Sequence, residues 1–339
     1  MLNSHLGFMN RSFLYITLSL FFFISCSEKK EQAPVYKKVS GITMGVVTYN
    51  VTYSDLPGES LYPRIDSLLS ALNNSLSTYV PDSEISDLNT HNTLTIRTDF
   101  FFPMLQYSKE VYQITSGAFD PTVGPLVNLW GFGPGKETNI PDSALIVEKI
   151  ARIGFDKVKF DEQSASIDEG VYLDFSAIAK GYAVDLVAEF LEAQDIKNYY
   201  VEIGGEVICK GVNNRGKTWK TGIFDPRINE DPSRKIAAIV SLDNMALATS
   251  GNNRNFYIKN GKKYAHTISP FSGYPVEHSL LSASVFSDNC TIADAYATAF
   301  MVMGLEKAIP LIEANPALEA HLIYSDENGS LKSYTSEGI

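Results

Sequence analysis

Three cysteines among 339 residues are too few for a disulfide framework, and no C-x-x-C or H-E-x-x-H pattern is present. Thiol–disulfide exchange and zinc-protease chemistry therefore find no motif here. A Walker A loop is missing as well: in GFGPGKE (131–137) Trp130 stands at the first-glycine position and Glu137 follows Gly135-Lys136. No G-x-G-x-x-G follows a strand-like run and no G-x-S-x-G elbow occurs, which removes the dinucleotide fingerprint and the serine-hydrolase turn. Cations are fewer than anions, 28 against 39, and form no run. A formal charge of -11 without a basic cluster argues against nucleic acid or an anionic membrane surface as the main partner. It leaves room for a locally basic pocket that takes a small anion.

The apolar run at the N-terminus, FLYITLSLFFFIS (13–25), is too short for a comfortable membrane span. Arg11 precedes it, and it ends in a small residue followed by Cys26. This reads as a lipoprotein signal peptide over 1–25, with Cys26 lipidated and 26–38 serving as a polar tether. The body is then expected to be exported, anchored to a membrane through lipid and facing the periplasm. Cys209 and Cys290 are expected to be buried free thiols. Residues 39–339 show no repeat and no clear internal boundary, so they are taken as a single domain; 45% hydrophobic and 20% charged residues suit a globular body.

MGVVTYNVTYS (44–54) alternates with period two and predicts a strand, whereas Ile65, Leu68, Leu69, Leu72 and Leu76 recur at helical spacing over 60–77. A further helix is expected over about 100–115, and the Gly/Pro-rich 116–135 marks loops and short elements. GVYLDF (170–175) is strand-like. SAIAKGYAVDLVAEFLEAQ (176–194) carries two apolar rows, with Ser176 as a plausible N-cap. Strand-like runs follow at 199–209, 218–224, 236–248 and 280–287, and 321–334 reads as a hairpin turning at Asn328-Gly329. Helices and strands mix without a βαβ repeat, which favours an α+β class with largely antiparallel sheets and flanking helices.

The stretch TIADAYATAF (291–300) is apolar or alanine but for a few polar positions, and a helix there stacks Asp294 and Thr298 on one face. Their hard oxygens suit Mg²⁺, although Thr291-x-x-Asp294 also matches a capping box and Thr298 could bond back to the carbonyl of Asp294. Lys180 and Gly181 at a helix start could hold an anion, or be a solvent-facing lysine and a helix-packing glycine. His266, in the turn-rich YAHTISPFSGYP (264–275), could be a general base or an ordinary surface histidine. Two glycines in IGGEV (203–207) suggest a bulge or a close approach. Tyr79, Phe119, Trp130 and Phe132 could stack on a planar ring or belong to the core.

The ordered set MG, STYVPDSEISDLN, GAFDPTVGPLVNLWGFG, DFSAIAKGYAVD, IGGEV, ATSG, HTISPFSGYP and ADAYATA, spanning about 40–305, resembles the ApbE family of FAD:protein FMN transferases. That resemblance implies a T-fold-related α+β body that binds FAD and Mg²⁺. It implies transfer of the FMN half of FAD to a Thr or Ser hydroxyl of an exported protein, such as an Rnf- or sodium-pumping quinone reductase subunit, with AMP released. FAD hydrolysis, or FAD carriage without catalysis, are the alternatives. By matched position, Met44, Tyr79, Ala118, Phe119, Asp120, Lys180 and Ile268 would contact FAD. Asp294, Thr298 and the carbonyl of Ala177 would hold Mg²⁺, and His266 would be the base. The chain departs from the family pattern at Ser176-Ala177, at Ser269, where an acid is usual three positions after the histidine, and at Asn252-Asn253.

Overall fold

In a computed structural model, residues 35–54, 60–133, 140–227, 236–252, 256–259 and 261–339 are described. The expected signal peptide, Cys26, the tether up to residue 34 and Asn253 lie outside the described residues. Residues Pro34–Ile339 form one unit, and no described helix is long and apolar enough to cross a membrane.

The period-two segments assemble into one eight-stranded sheet. Its strands are β1 (Tyr36–Thr43), β2 (Val47–Ser54), β6 (Tyr199–Ile203), β7 (Glu206–Lys210), β10 (Ala246–Gly251), β13 (Leu280–Ser287), β14 (Glu319–Ser325) and β15 (Leu331–Thr335), in that spatial order. Every pairing in it is antiparallel. Smaller sheets are formed by β3 (Thr93–Thr95), β4 (Val158–Phe160) and β5 (Ser164–Ile167), by β8 (Trp219–Phe224) with β9 (Ile236–Leu242), and by β11 (Phe256–Lys259) with β12 (Lys262–Ala265). The helices are α1 (Tyr62–Leu76), α2 (Glu84–His91), α3 (Phe101–Ile114), α4 (Gly124–Leu129), α5 (Ser143–Ile150), α6 (Ala179–Glu192), α7 (Cys290–Met303) and α8 (Leu305–Ala314). The class is α+β, as the pattern of elements indicated.

Alternation along the strands sorts the core into two faces. Ala246, Ala248 and Val285 join the main core beneath the helices, while Leu247, Phe286, Val207 and Cys209 face the opposite way and pack with Ile223 and Leu242 of the β8–β9 ribbon. α6 packs on β6 and β7, and α7 on β10 and β13, so these two helices lie side by side on the sheet. Small residues make this close approach possible: Ala246, Ala248 and Ala283 on the sheet meet a helix that carries Ala293, Ala295, Ala297 and Ala299, all buried. α7 is therefore enclosed on nearly every side, which is why its sequence lacks a polar face.

Local differences from the sequence reading have identifiable causes. The strand expected at 44–54 begins at Val47, because Met44 (φ 47°) and Gly45 (φ 79°) turn the chain back from β1. Gly204 (φ 65°) and Gly205 (φ 108°) divide 199–209 into a hairpin, and the 236–248 run divides between β9 and β10. GVYLDF does not enter a sheet: the Asn89 side chain bonds both the N–H and the carbonyl of Leu173, and Asp174 N–H donates to Pro121 at 2.8 Å. Its ladder partners are thus a side chain and a loop carbonyl. The hairpin over 321–334 is present as β14–β15, with Gly329 at φ 76°. Cys209 and Cys290 are both free and buried.

Candidate functional site

α6 and α7 meet through an exchange of carboxylates. Asp294, in the second turn of α7, accepts the N–H of Gly181 in the first turn of α6 at 3.0 Å. In return Asp185 of α6 accepts the N–H groups of Cys290 and Thr291 at 2.9 and 2.7 Å, and the Thr291 hydroxyl at 2.5 Å. Each helix start, electropositive through its free N–H groups, is closed by an acid from its neighbour. The capping box suggested by Thr291-x-x-Asp294 is consequently not formed: Asn289 caps α7 through Ile292 N–H, and Asp294 is released to face α6. Ser176 does not cap α6 either. α6 begins at Ala179 without a side-chain cap, and Ser176 instead gives its hydroxyl and N–H to Asp174. Gly181 is a packing glycine, since a Cβ there would lie 2.3 Å from the carbonyl oxygen of Cys290.

Asp294 is 3% exposed, and such burial demands compensation. The Lys180 ammonium stands 3.4 Å from Asp294 Oδ1 and 3.0 Å from Glu206 Oε1. Burial works against the charge on Lys180, but the two carboxylates outweigh it and hold the ammonium above its ordinary range. Burial raises both acids; Glu206 is pushed up to about 7, with Lys180 pulling it back and Asp294 adding to the rise. Two buried carboxylates thus share one lysine, more acid than one ammonium balances, and their raised hold on protons reflects it.

A cavity of about 290 Å³ opens beside this cluster. Its walls bring together Ala118, Phe119 and Asp120 after α3, Ala177 and Lys180 at the start of α6, His266 and Ile268 after β12, and Asp294 and Thr298 of α7. Met44 and Tyr79 are not on that wall. They line a neighbouring cavity of about 190 Å³ between the β1–β2 turn and the end of α1, where Tyr79 is 69% exposed. Ser176 and Lys180 belong to both cavities and so form their common wall.

The loop at 116–120 is shaped by Ser116 and Gly117 at positive φ, and Thr115 Oγ1 accepts the N–H of Phe119 at 3.1 Å. Asp120 accepts both the N–H and the hydroxyl of Thr122, and burial, only partly offset by these bonds, lifts its carboxyl to about 6. The His266 ring lies edge-on to Phe132 at 6.4 Å, and the adjoining Thr267 donates to the buried Asn252 at 2.6 Å. Asn252 therefore ties the end of β10 to the histidine segment. Ser269 builds the next turn, accepting Ser272 N–H at 3.3 Å. Trp130 is buried in a separate apolar cluster, where its indole N–H reaches Gly273 O at 2.7 Å, and Phe132 stacks on Tyr257. Of the four aromatics considered for ring stacking, Phe119 and Tyr79 line the cavities.

The sequence model of the ApbE family matches residues 44–322. The chain belongs to the ApbE family. It is 36% identical over 338 residues to the FAD:protein FMN transferase of Vibrio cholerae serotype O1, covering 97% of this chain and 98% of that protein. The Haemophilus influenzae protein of the same name is 38% identical over 305 residues, 86% of this chain and 87% of its own. Among solved structures, the flavin transferase ApbE from Vibrio cholerae superposes with a TM-score of 0.80 at 36% identity, over 90% of this chain and 98% of that one.

Among the described residues no group of three or more His, Cys, Asp or Glu could hold a metal ion. The cavity wall carries three carboxylates: Asp120 and Asp174 already accept bonds from Thr122 and Ser176, while Asp294 lies on the same wall as the Thr298 hydroxyl, which makes no hydrogen bond among the described residues, and the Ala177 segment. That sparse hard-oxygen set around Asp294, beside more acid than one ammonium balances, fits Mg²⁺, which keeps waters and takes phosphate oxygens. The sequence reading missed Glu206 and Asp185. The signals for them were an acid directly after two glycines in a strand pattern, and an acid set between Val184 and the apolar Leu186-Val187-Ala188 of α6.

Proposed function

We propose that this protein transfers the FMN half of FAD to a Ser or Thr hydroxyl of a partner protein and releases AMP. The carrying observation is the pair of cavities separated by Lys180 and Ser176, with Asp294, Thr298 and His266 on the wall of the larger. Two adjoining compartments suit a ligand of two planar halves, and the ammonium on their common wall suits the diphosphate between them.

Asp294, Thr298 and the carbonyl of Ala177 would hold Mg²⁺, which when bound withdraws charge from the diphosphate. Lys180 neutralises diphosphate oxygens, and Gly181 N–H keeps the Asp294 carboxylate oriented. His266 accepts the proton of the incoming hydroxyl on an imidazole nitrogen. The hydroxyl oxygen then forms a bond to the FMN-side phosphorus, the phosphorus–oxygen bond to the AMP phosphate breaks in line, and AMP leaves. Met44, Tyr79, Ala118, Phe119, Asp120 and Ile268 supply apolar and hydrogen-bonding surface for the dinucleotide. We further propose that residues 1–25 export the chain, that Cys26 carries lipid, and that the acceptor is an exported electron-transport subunit of the Rnf or sodium-pumping quinone reductase kind.

The test incubates the full chain in detergent with FAD, Mg²⁺ and such a subunit, following AMP and denaturation-resistant flavin fluorescence on the subunit. Both signals are expected, and both are expected to vanish in Asp294→Ala. AMP without labelled subunit would replace transfer by hydrolysis. FAD binding with neither product would refute the proposal.

A further inference from the structure

Glu206 belongs to none of the roles assigned above, yet it is the carboxylate nearest to Lys180. It starts β7 directly after the Gly204-Gly205 turn, and its side chain is buried. One oxygen, Oε1, is 3.0 Å from Lys180 Nζ; the other, Oε2, has no hydrogen-bond partner among the described residues. An acceptor buried without a donor costs about 1–3 kcal/mol, so its presence calls for a reason. The ammonium has three donors and reaches Asp294 only at 3.4 Å.

We propose that Glu206 is a positioning residue that takes Lys180 over from Asp294 when a divalent cation binds. This inference rests on the metal reading of Asp294 given above. A cation cannot be held well by a carboxylate that an ammonium already occupies. The unpartnered Oε2 is the acceptor that lets the donor now turned toward Asp294 find a new partner without the lysine leaving the cavity wall. Gly204 sits against this pair: a Cβ there would meet Val47 at 2.8 Å and crowd the Lys180 side chain at 3.3 Å, while touching Glu206 Oε2 at an ordinary 3.5 Å. Glu206 thus keeps Lys180 available for an anionic substrate while freeing Asp294 for the metal.

Mn²⁺ is the probe, counted by the electron paramagnetic resonance signal of the free ion against the full chain in detergent, with no FAD present. Glu206→Asp keeps the charge but withdraws the carboxylate by one methylene. We expect it to weaken Mn²⁺ binding on the order of 10–100-fold, the range found for residues that orient metal ligands. Glu206→Gln should do the same. Lys180→Met should raise Mn²⁺ affinity by a larger factor in the Glu206→Gln background than in the wild type, because there the lysine has Asp294 as its remaining carboxylate. Circular dichroism melts select the variants that fold, and the Glu206→Asp comparison stands if the double variant does not. Wild-type affinity in Glu206→Asp with reduced affinity in Glu206→Gln would show a simple charge effect and overturn the exchange. Equal factors for Lys180→Met in both backgrounds would overturn it too. If Asp294→Ala binds Mn²⁺ as the wild type does, the metal reading itself fails, and this inference with it.

Discussion

Replacing Gly181 by alanine tests how tightly the two helices of the site are joined. On helix propensity alone the change should stabilise α6 by about 1 kcal/mol. The packing says otherwise. The new Cβ would lie 2.3 Å from the Cys290 carbonyl oxygen, 2.7 Å from its carbon and 2.8 Å from Asp294 Cβ. Ordinary contact begins near 3.4 Å, so α6 and α7 must part by about 1 Å. Two of the three obstructing atoms are backbone, and no rotamer change removes them. Overpacking of this kind costs about 1–3 kcal/mol, so after the propensity gain the net expectation is destabilisation of up to about 2 kcal/mol. Asp294 would move away from Gly181 N–H, and misplacement of about 1 Å at a reacting centre costs roughly 100-fold in rate. Urea unfolding followed by circular dichroism measures the first effect, and AMP release from FAD the second. An alanine variant as stable as the wild type, with unchanged turnover, would refute the close approach of α6 to Cys290.

Two further outcomes follow from titratable groups. Asp120 titrates near 6 when folded, against about 3.8 in the unfolded chain, because burial disfavours its charge. Its contribution to stability is therefore full below about pH 3.8 and lost as pH rises through 6, a change on the order of 2–3 kcal/mol; Asp120→Asn should flatten urea midpoints across that window, and an unchanged slope would contradict the assignment. Burial pushes the Cys209 thiol up to about 11 and Cys290 well above its ordinary value. Neither should react with a thiol reagent at pH 8 until the protein unfolds, and native labelling of either would show that the sheet–helix core opens.

The legible parts of the fold were those with a strong period. α1, α3 and the β14–β15 hairpin stood out because their apolar spacing or turn residues were local facts. α6 and α7 were legible as helices, but their starts were not, since Asp185 and Asp294 serve the helix across the contact rather than their own. The extended 170–175 segment misled for the same reason: its alternation is that of a strand, while its hydrogen-bond partners come from Asn89 and Pro121. At the site, Asp294, Thr298, Lys180 and His266 were visible as chemically unusual residues, and the structure places them on one cavity. Glu206 was not, because nothing within five residues of it shows that Lys180, on another element, needs a second carboxylate.

The reciprocal capping of α6 and α7 links residues 105 and 113 positions apart. Contacts of such separation form late, since the intervening chain must first lose its freedom. During synthesis, α6 leaves the ribosome with its first turn open and waits for more than a hundred further residues before Asp294 arrives. On the proposed reading of the site, a nascent chain that lacks α7 should therefore be inert toward nucleotides. The proposed activity would then arise with the completion of topology rather than with any single segment, and no fragment that stops short of α7 should show even a trace of it.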